Sequence, residues 1–107
     1  MTSAPLTIRQ AGPADAATGH RFICELAVYE REPDAVTYAP ERLQAQMNRP
    51  VPPFTCLLAE REGAPVGFAL YFYTYSTWEG TETLYLEDFF VPESARRTGV
   101  GRALFAA

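Results

Sequence analysis

The hydrophobic and polar positions of the chain follow two periods, one typical of strands and one typical of helices. Leu6–Gln10 alternates apolar and polar residues, which predicts a first strand. Residues 12–32 carry apolar side chains three and four positions apart, which predicts a long helix. Residues 39–47 have the same spacing after Pro40, a residue suited to the first helical turn, and predict a second, shorter helix.

Three apolar segments follow and predict strands over Phe54–Glu60, Val66–Tyr75 and Thr83–Val91. Glycine-containing turns separate them, and Pro92 ends the last strand because proline cannot continue a central ladder. A turn rich in Arg and Gly, residues 96–102, then leads into a helix, and we call it the glycine turn. The order strand, two helices, three strands and the start of a third helix predicts one α/β (α+β) domain over residues 1–107.

The composition, with 48% hydrophobic and 13% aromatic residues, is that of a globular protein. No apolar run reaches the roughly 20 residues that span a bilayer, and the first ten residues lack the basic-then-apolar order of a signal peptide. We therefore expect a cytoplasmic protein without a membrane partner. The net charge of −4 argues against a nucleic-acid partner, which usually requires a basic face.

Cysteine and histidine contribute little candidate chemistry. Cys24 and Cys56 are too few for a disulfide framework or a metal site, so we expect no bound metal. Each lies in an apolar segment, where a thiol behaves as a small hydrophobe. His20 lies one helical turn before Cys24, a spacing that allows contact, but the sequence favours a solvated histidine on the helix surface.

The sequence Arg-Arg-Thr-Gly-Val-Gly over residues 96–101 is the strongest local signal. Gly99 and Gly101 allow the backbone to turn tightly and approach a ligand, and the start of the next helix presents amide groups that favour phosphate. Three of the nine basic residues, all of them Arg, lie between Arg96 and Arg102. The cluster indicates an anion site beside an acidic cleft for a cationic substrate, or only a tightly packed, charged helix start.

This turn, directly after a strand, resembles the acetyl-CoA pyrophosphate loop of the GNAT superfamily of N-acetyltransferases. The segments LYLEDFFV and YFYTYSTWEG, with ELAVYE at the end of the first helix, resemble the spermidine/spermine and thialysine N-acetyltransferases within it. The resemblance extends over the whole chain. It implies the GNAT fold, in which a mixed, mostly antiparallel central sheet is flanked by helices, and a homodimer.

The resemblance also implies an acetyl-CoA site. A bulge of the fourth strand at Phe89–Phe90–Val91 is expected to present backbone amides to the thioester and pantetheine. The positions expected to hold the pyrophosphate are Arg96, Arg97, Thr98, Gly99, Val100, Gly101 and Arg102.

For the amine, Glu87 matches the acidic residue that removes the substrate's proton through water. The other positions expected to contact the substrate are Tyr29, Glu30, Asp88 and Trp78. Because side chains alternate along a strand, we expect Glu87 and Asp88 to point to opposite faces, and such a pair is often only a solubilising strand end. A primary amine is protonated at neutral pH, so a base must remove its proton before it attacks a thioester.

Ser76 stands where polyamine-acetylating members carry Asp, which favours a thialysine-like amine over a long polycation. The family's fold continues beyond the glycine turn, so we expect a chain that lacks its C-terminal part. Two other interpretations stay open: a non-catalytic acyl-CoA-binding module, and a structural fragment completed by another chain.

Overall fold

The computed structural model describes residues 5–107 of the chain. The strands are β1 (Leu6–Gln10), β2 (Thr55–Arg61), β3 (Ala64–Ser76) and β4 (Thr81–Phe90). The α-helices are α1 (Ala16–Tyr29), α2 (Pro40–Met47) and α3 (Val100–Ala106), and short 3-10 turns lie at Pro13–Asp15 and Glu93–Ala95. This order confirms the predicted α/β class.

The four strands form one antiparallel sheet in the order β1-β2-β3-β4, and helices cover both of its faces. Side chains on one face pack against α1, and this core contains Phe22, Cys56, Leu58, Phe68, Leu70 and Phe90. Side chains on the other face pack against α3, and this second core contains Ala59, Ala69, Ala95, Val100 and Leu104. Since β2 and β3 are buried on both faces, their sequences are continuous apolar runs rather than alternating ones.

Helix α1 ends at Tyr29, three residues earlier than the apolar spacing predicts. Arg31 adopts a left-handed conformation with φ 63°, and its amide donates to the Val28 carbonyl at 3.0 Å. The amide of Glu32 donates to the Ala27 carbonyl at 2.7 Å. These two bonds form a Schellman cap, which satisfies the last carbonyls and stops the helix.

A close approach of α3 to the sheet occurs at Gly67 in β3. A Cβ atom at this position would lie 2.8 Å from Val100 Cγ1 and 3.1 Å from Leu104 Cδ1. It would also lie 3.3 Å from the Phe90 carbonyl oxygen, so neither the helix nor β4 leaves room for a side chain. The missing side chain of Gly67 therefore sets the distance at which α3, and the turn before it, sits above the sheet.

We predict that Gly67→Ala lowers the free energy of unfolding by about 1–3 kcal/mol, because the added methyl overpacks the contact between β3 and α3. Denaturant or thermal unfolding measures the loss. The matched control is Gly12→Ala, since Gly12 has an ordinary φ of −111° and a Cβ there would meet nothing within 4 Å. Equal stability of the two variants would contradict the proposed close approach.

Candidate active site

Strand β4 contains a bulge at Glu87. Leu70 of β3 pairs with Asp88 and the next residue, Tyr71, pairs with Leu86, so Glu87 has no opposite partner. The prediction of a bulge at Phe89–Phe90–Val91 is therefore wrong by about two residues.

The physical reason for that difference is side-chain packing. Phe90 packs with the α1 core, while Phe89 packs against Phe105 of α3. Because the two rings belong to opposite faces, the strand must alternate regularly there, and both residues keep regular partners in β3. The extra residue is accommodated just before them, where β4 is exposed.

The bulge also interrupts the alternation of side chains around Glu87 and Asp88. Leu84, Leu86 and Phe89 all line one apolar cleft of about 390 Å³ on the α3 side of the sheet. Two successive residues, Glu87 and Asp88, thus stand between members of that face. Because the bulge interrupts the strict alternation along β4, the prediction that these two carboxylates point to opposite faces stays a prediction.

Asp88 is half-buried, whereas Glu87 is exposed. Burial, followed by the charges of Glu87 and Glu30, raises the pKa of Asp88 to about 6. Glu30 directly follows the last residue of α1, so the end of α1 and the bulge of β4 bring three carboxylates together. This group is a local negative site suited to a cation.

Arg96 contacts both Tyr29, at the end of α1, and the residue that follows β4. The Arg96 guanidinium lies 4.7 Å from the Tyr29 ring centroid, and Arg96 Nε donates to the Val91 carbonyl at 2.8 Å. The Tyr29 and Phe90 rings meet edge to face at 6.4 Å. Five of the predicted site residues line one cavity of about 330 Å³, together with Leu26: Tyr29, Phe89, Phe90, Val91 and Arg96.

The glycine turn presents its backbone at the start of α3. Gly99 has φ 89° and therefore requires glycine, whereas a Cβ at Gly101 would make only ordinary contacts at 3.7–3.9 Å. In the first hydrogen bond of the helix, the Ala103 amide donates to the Gly99 carbonyl. The amides of residues 100–102 therefore have no acceptor within the helix. Arg97 and Arg102 are exposed beside them, although α3 has only seven residues. Pyrophosphate binding by this turn and by Arg96 stays a prediction.

Trp78 lies apart from the other predicted site residues. It is fully exposed in the turn between β3 and β4. Glu87 is six residues beyond the start of β4, which is about 20 Å along a strand. The structure of one chain thus does not bring Trp78 to the acidic pair, and its contact with substrate stays a prediction.

His20 is not the solvated histidine that the sequence favours. Its Nε2 lies 2.6 Å from the Tyr38 carbonyl oxygen and its Nδ1 lies 3.7 Å from Cys24 Sγ. Since a carbonyl only accepts, Nε2 carries a proton. The residues after α1 fold back over the helix and cover the ring, an arrangement that periodicity alone does not reveal.

Residues 13–107 match the sequence pattern of a known family, described as "Acetyltransferase (GNAT) family". The chain belongs to this family. The GNAT assignment agrees with the antiparallel sheet covered by helices and with the glycine turn after β4.

The chain is also similar to curated relatives. It is 39% identical over 102 residues to a thialysine N-epsilon-acetyltransferase of Bos taurus, covering 88% of this chain and 59% of the relative. It is 37% identical over 101 residues to a spermidine/spermine N(1)-acetyltransferase-like protein 1 of Homo sapiens, covering 88% of this chain and 14% of the relative. The chain thus spans about three fifths of the length of the thialysine relative.

Solved structures share the fold. An aminoglycoside acetyltransferase from an uncultured soil metagenomic sample, in complex with sisomicin, superposes with a TM-score of 0.75 at 20% identity, covering 94% of this chain and 65% of that one. The protein AAC(6')-Iy, in complex with a bisubstrate analog of CoA, gives a TM-score of 0.73 at 20% identity, covering 96% of this chain and 68% of that one.

Two further observations concern residues 5–107. No helix in this part of the chain is long and apolar enough to cross a membrane. Within the same residues, no group of three or more His, Cys, Asp or Glu side chains is arranged to hold a metal ion.

We predict that Asp88→Asn stabilises the protein above pH 6. Because the pKa of Asp88 is raised on folding, its ionisation destabilises the folded state as pH rises from about 4 to 6, and the amide removes that cost. The gain is about 1 kcal/mol once solvent screening of this half-exposed group is allowed for. Unfolding measured at pH 4 and pH 8 tests it, with the exposed loop variant Asp34→Asn as control. A gain that is the same at both pH values would contradict the account.

Proposed function

We propose that the whole protein transfers the acetyl group of acetyl-CoA to a primary amine. The observation that carries this proposal is the bulge at Glu87, which gathers Glu30, Glu87 and Asp88 beside the cavity lined by Tyr29 and Arg96. Membership of the GNAT family supports the reaction type.

The acetyl-CoA side of the site is expected at the C-terminal end of β4, directly after the bulge, and in the following turn. β4 is the last strand in the sheet order of the described residues, so part of its backbone faces away from β3. Amides of Phe89–Val91 are thus candidates to meet the thioester and pantetheine. The amides of residues 97–102, with the exposed side chains of Arg97 and Arg102, fit a pyrophosphate in charge and in donor type.

The carboxylates act on the amine. An alkylamine has a reference pKa near 10.4, so it arrives protonated, and the acidic group attracts the cation. Glu87, the member at the bulge, takes the proton through water, and the free amine then attacks the thioester carbon directly. Backbone donors of β4 stabilise the oxyanion that forms, and the CoA thiolate leaves.

A thialysine-like amine is the substrate that we favour. Thialysine N-epsilon-acetyltransferases are among the relatives at 39% and 40% identity. Ser76 lies at the end of β3 and its Oγ accepts from the Glu79 amide at 3.2 Å, so this position adds no negative charge for a second ammonium group. A smaller amine fits this charge distribution better than a long polyamine.

A homodimer is part of the proposal. The far ends of β3 and β4 expose large apolar side chains, namely Tyr73, Tyr75, Trp78, Leu84 and Tyr85. Exposed apolar surface of this extent is typical of an interface. Sedimentation of the full-length protein at micromolar concentration tests it, and a monomer would contradict it. A cytoplasmic location stays a prediction from the sequence.

We predict that Glu87→Gln in the full-length protein lowers turnover by roughly 10²–10⁴, the usual effect of losing a general base. Glutamine keeps the size of the side chain but removes its charge and basicity. Acetyl-CoA binding should stay normal, because Glu87 lies outside the glycine turn. The loss of turnover should shrink between pH 7 and pH 10, since more of the amine is then free.

The control for this variant is Glu82→Gln, another exposed carboxylate of β4, which pairs with Tyr75 near the hairpin turn. Its turnover should match that of the unmodified protein. Steady-state rates corrected for the folded fraction decide the case. Equal rates for Glu87→Gln and Glu82→Gln would remove Glu87 as the base, whereas normal acetyl-CoA affinity without turnover of any amine would favour the non-catalytic acyl-CoA-binding module.

A further inference from the structure

The side chain of Arg61 forms hydrogen bonds with Thr98, in the middle of the glycine turn. This residue ends β2, and its Nη1 donates to Thr98 Oγ1 at 2.8 Å while its Nη2 donates to the Thr98 carbonyl at 2.8 Å. The Thr98 hydroxyl in turn donates to the Ala95 carbonyl. A two-point contact of this kind fixes orientation as well as position, because the guanidinium is a rigid planar fork.

We infer that Arg61 is a positioning residue that holds the turn of residues 97–102 in the shape that receives the diphosphate of acetyl-CoA. The inference rests on the proposed function, which assigns the diphosphate to this turn. Arg61 lies 37 residues before Thr98, and no motif in the sequence joins the two.

The peptide bond after Thr98 explains how this contact orients the turn. A trans peptide is planar, and its carbonyl and N–H groups point in opposite directions. Since the Thr98 carbonyl points at Arg61, the Gly99 amide points away from Arg61. The bond from Arg61 therefore directs that donor away from β2 and leaves it available to a ligand.

The conformation of the turn needs such support. Arg97 and Gly99 both have positive φ, 65° and 89°, and they flank Thr98 on either side. A left-handed conformation is unfavourable for Arg97, which has a side chain, and it persists only where the surroundings impose it. The bonds from Arg61 to the residue between them supply that constraint.

Arg61 is itself held in place by the sheet. Its backbone pairs with Leu6 of β1 and with Ala64 of β3. The hairpin that follows, Glu62–Gly63, has positive φ at both residues, as a tight two-residue turn requires. The glycine turn is thus tied to the paired end of β2 rather than left as a free loop.

The test uses the full-length protein and four variants: Arg61→Met, Arg61→Lys, Thr98→Val and Arg42→Met. Arg42 is an exposed residue of α2 and serves as the matched control. Calorimetry with CoA should give a Kd raised roughly 10–100-fold for Arg61→Met, the range expected when charge-assisted bonds are lost. Arg61→Lys and Thr98→Val should be intermediate, because each keeps one of the two contacts, and Arg42→Met should be unchanged.

Kinetics distinguish positioning from general destabilisation. For Arg61→Met we expect a raised KM for acetyl-CoA with kcat within about twofold of the unmodified protein. The KM for S-acetylpantetheine, which has no diphosphate, should stay unchanged. A merely structural role would affect both donors equally and would overturn the inference.

Two further results separate the inference from the function on which it rests. If the unmodified full-length protein fails to bind CoA, the proposed function itself is wrong. If it binds CoA and Arg61→Met binds equally well, only the role of Arg61 is wrong. Normal CoA affinity in Thr98→Val, with weak affinity in Arg61→Met, would mean that Arg61 meets the diphosphate directly and would also overturn the positioning role.

Discussion

One inserted residue in β4 determines the arrangement of the candidate site. Because Glu87 has no partner in β3, two acidic residues lie in succession between Leu86 and Phe89 of the apolar cleft. The strand then resumes the alternation that places Phe89 and Phe90 in opposite cores. Without the bulge, Asp88 would take the face that Phe89 occupies. In its actual position Asp88 has a raised pKa, because burial and the neighbouring charges of Glu87 and Glu30 both oppose its ionisation.

The rest of the site depends on how closely α3 and its leading turn approach the sheet. Because Gly67 has no side chain, Val100 and Leu104 pack directly against β3. Arg61, at the end of β2, forms hydrogen bonds with Thr98 of the turn. Both contacts come from the two inner strands of the sheet, β2 and β3. These contacts support the strained turn, and preorganisation of this kind favours ligand binding.

Much of the fold and part of the site could be predicted from the sequence. Apolar periodicity and turn residues were sufficient for the order of elements, and the family resemblance supplied Tyr29, Glu87 and the glycine turn as candidate site residues. Three features could not be predicted, because they depend on contacts between distant segments. The bulge position is set by the packing of two phenylalanine rings on opposite faces, the cover over His20 comes from the segment containing Tyr38, and the contact between Arg61 and Thr98 joins residues that no local pattern links.

We propose above all that this site deprotonates a cationic amine next to acetyl-CoA. The most direct test of this proposal is release of free thiol from acetyl-CoA by the full-length protein, measured across a panel of amines that includes thialysine, lysine, spermidine and an aminoglycoside. We expect acetyl-CoA-dependent thiol release with thialysine or another small primary amine. The kcat/KM for that amine should be higher than the kcat/KM for spermidine. Thiol release that no amine accelerates, in a protein shown to bind acetyl-CoA, would contradict it.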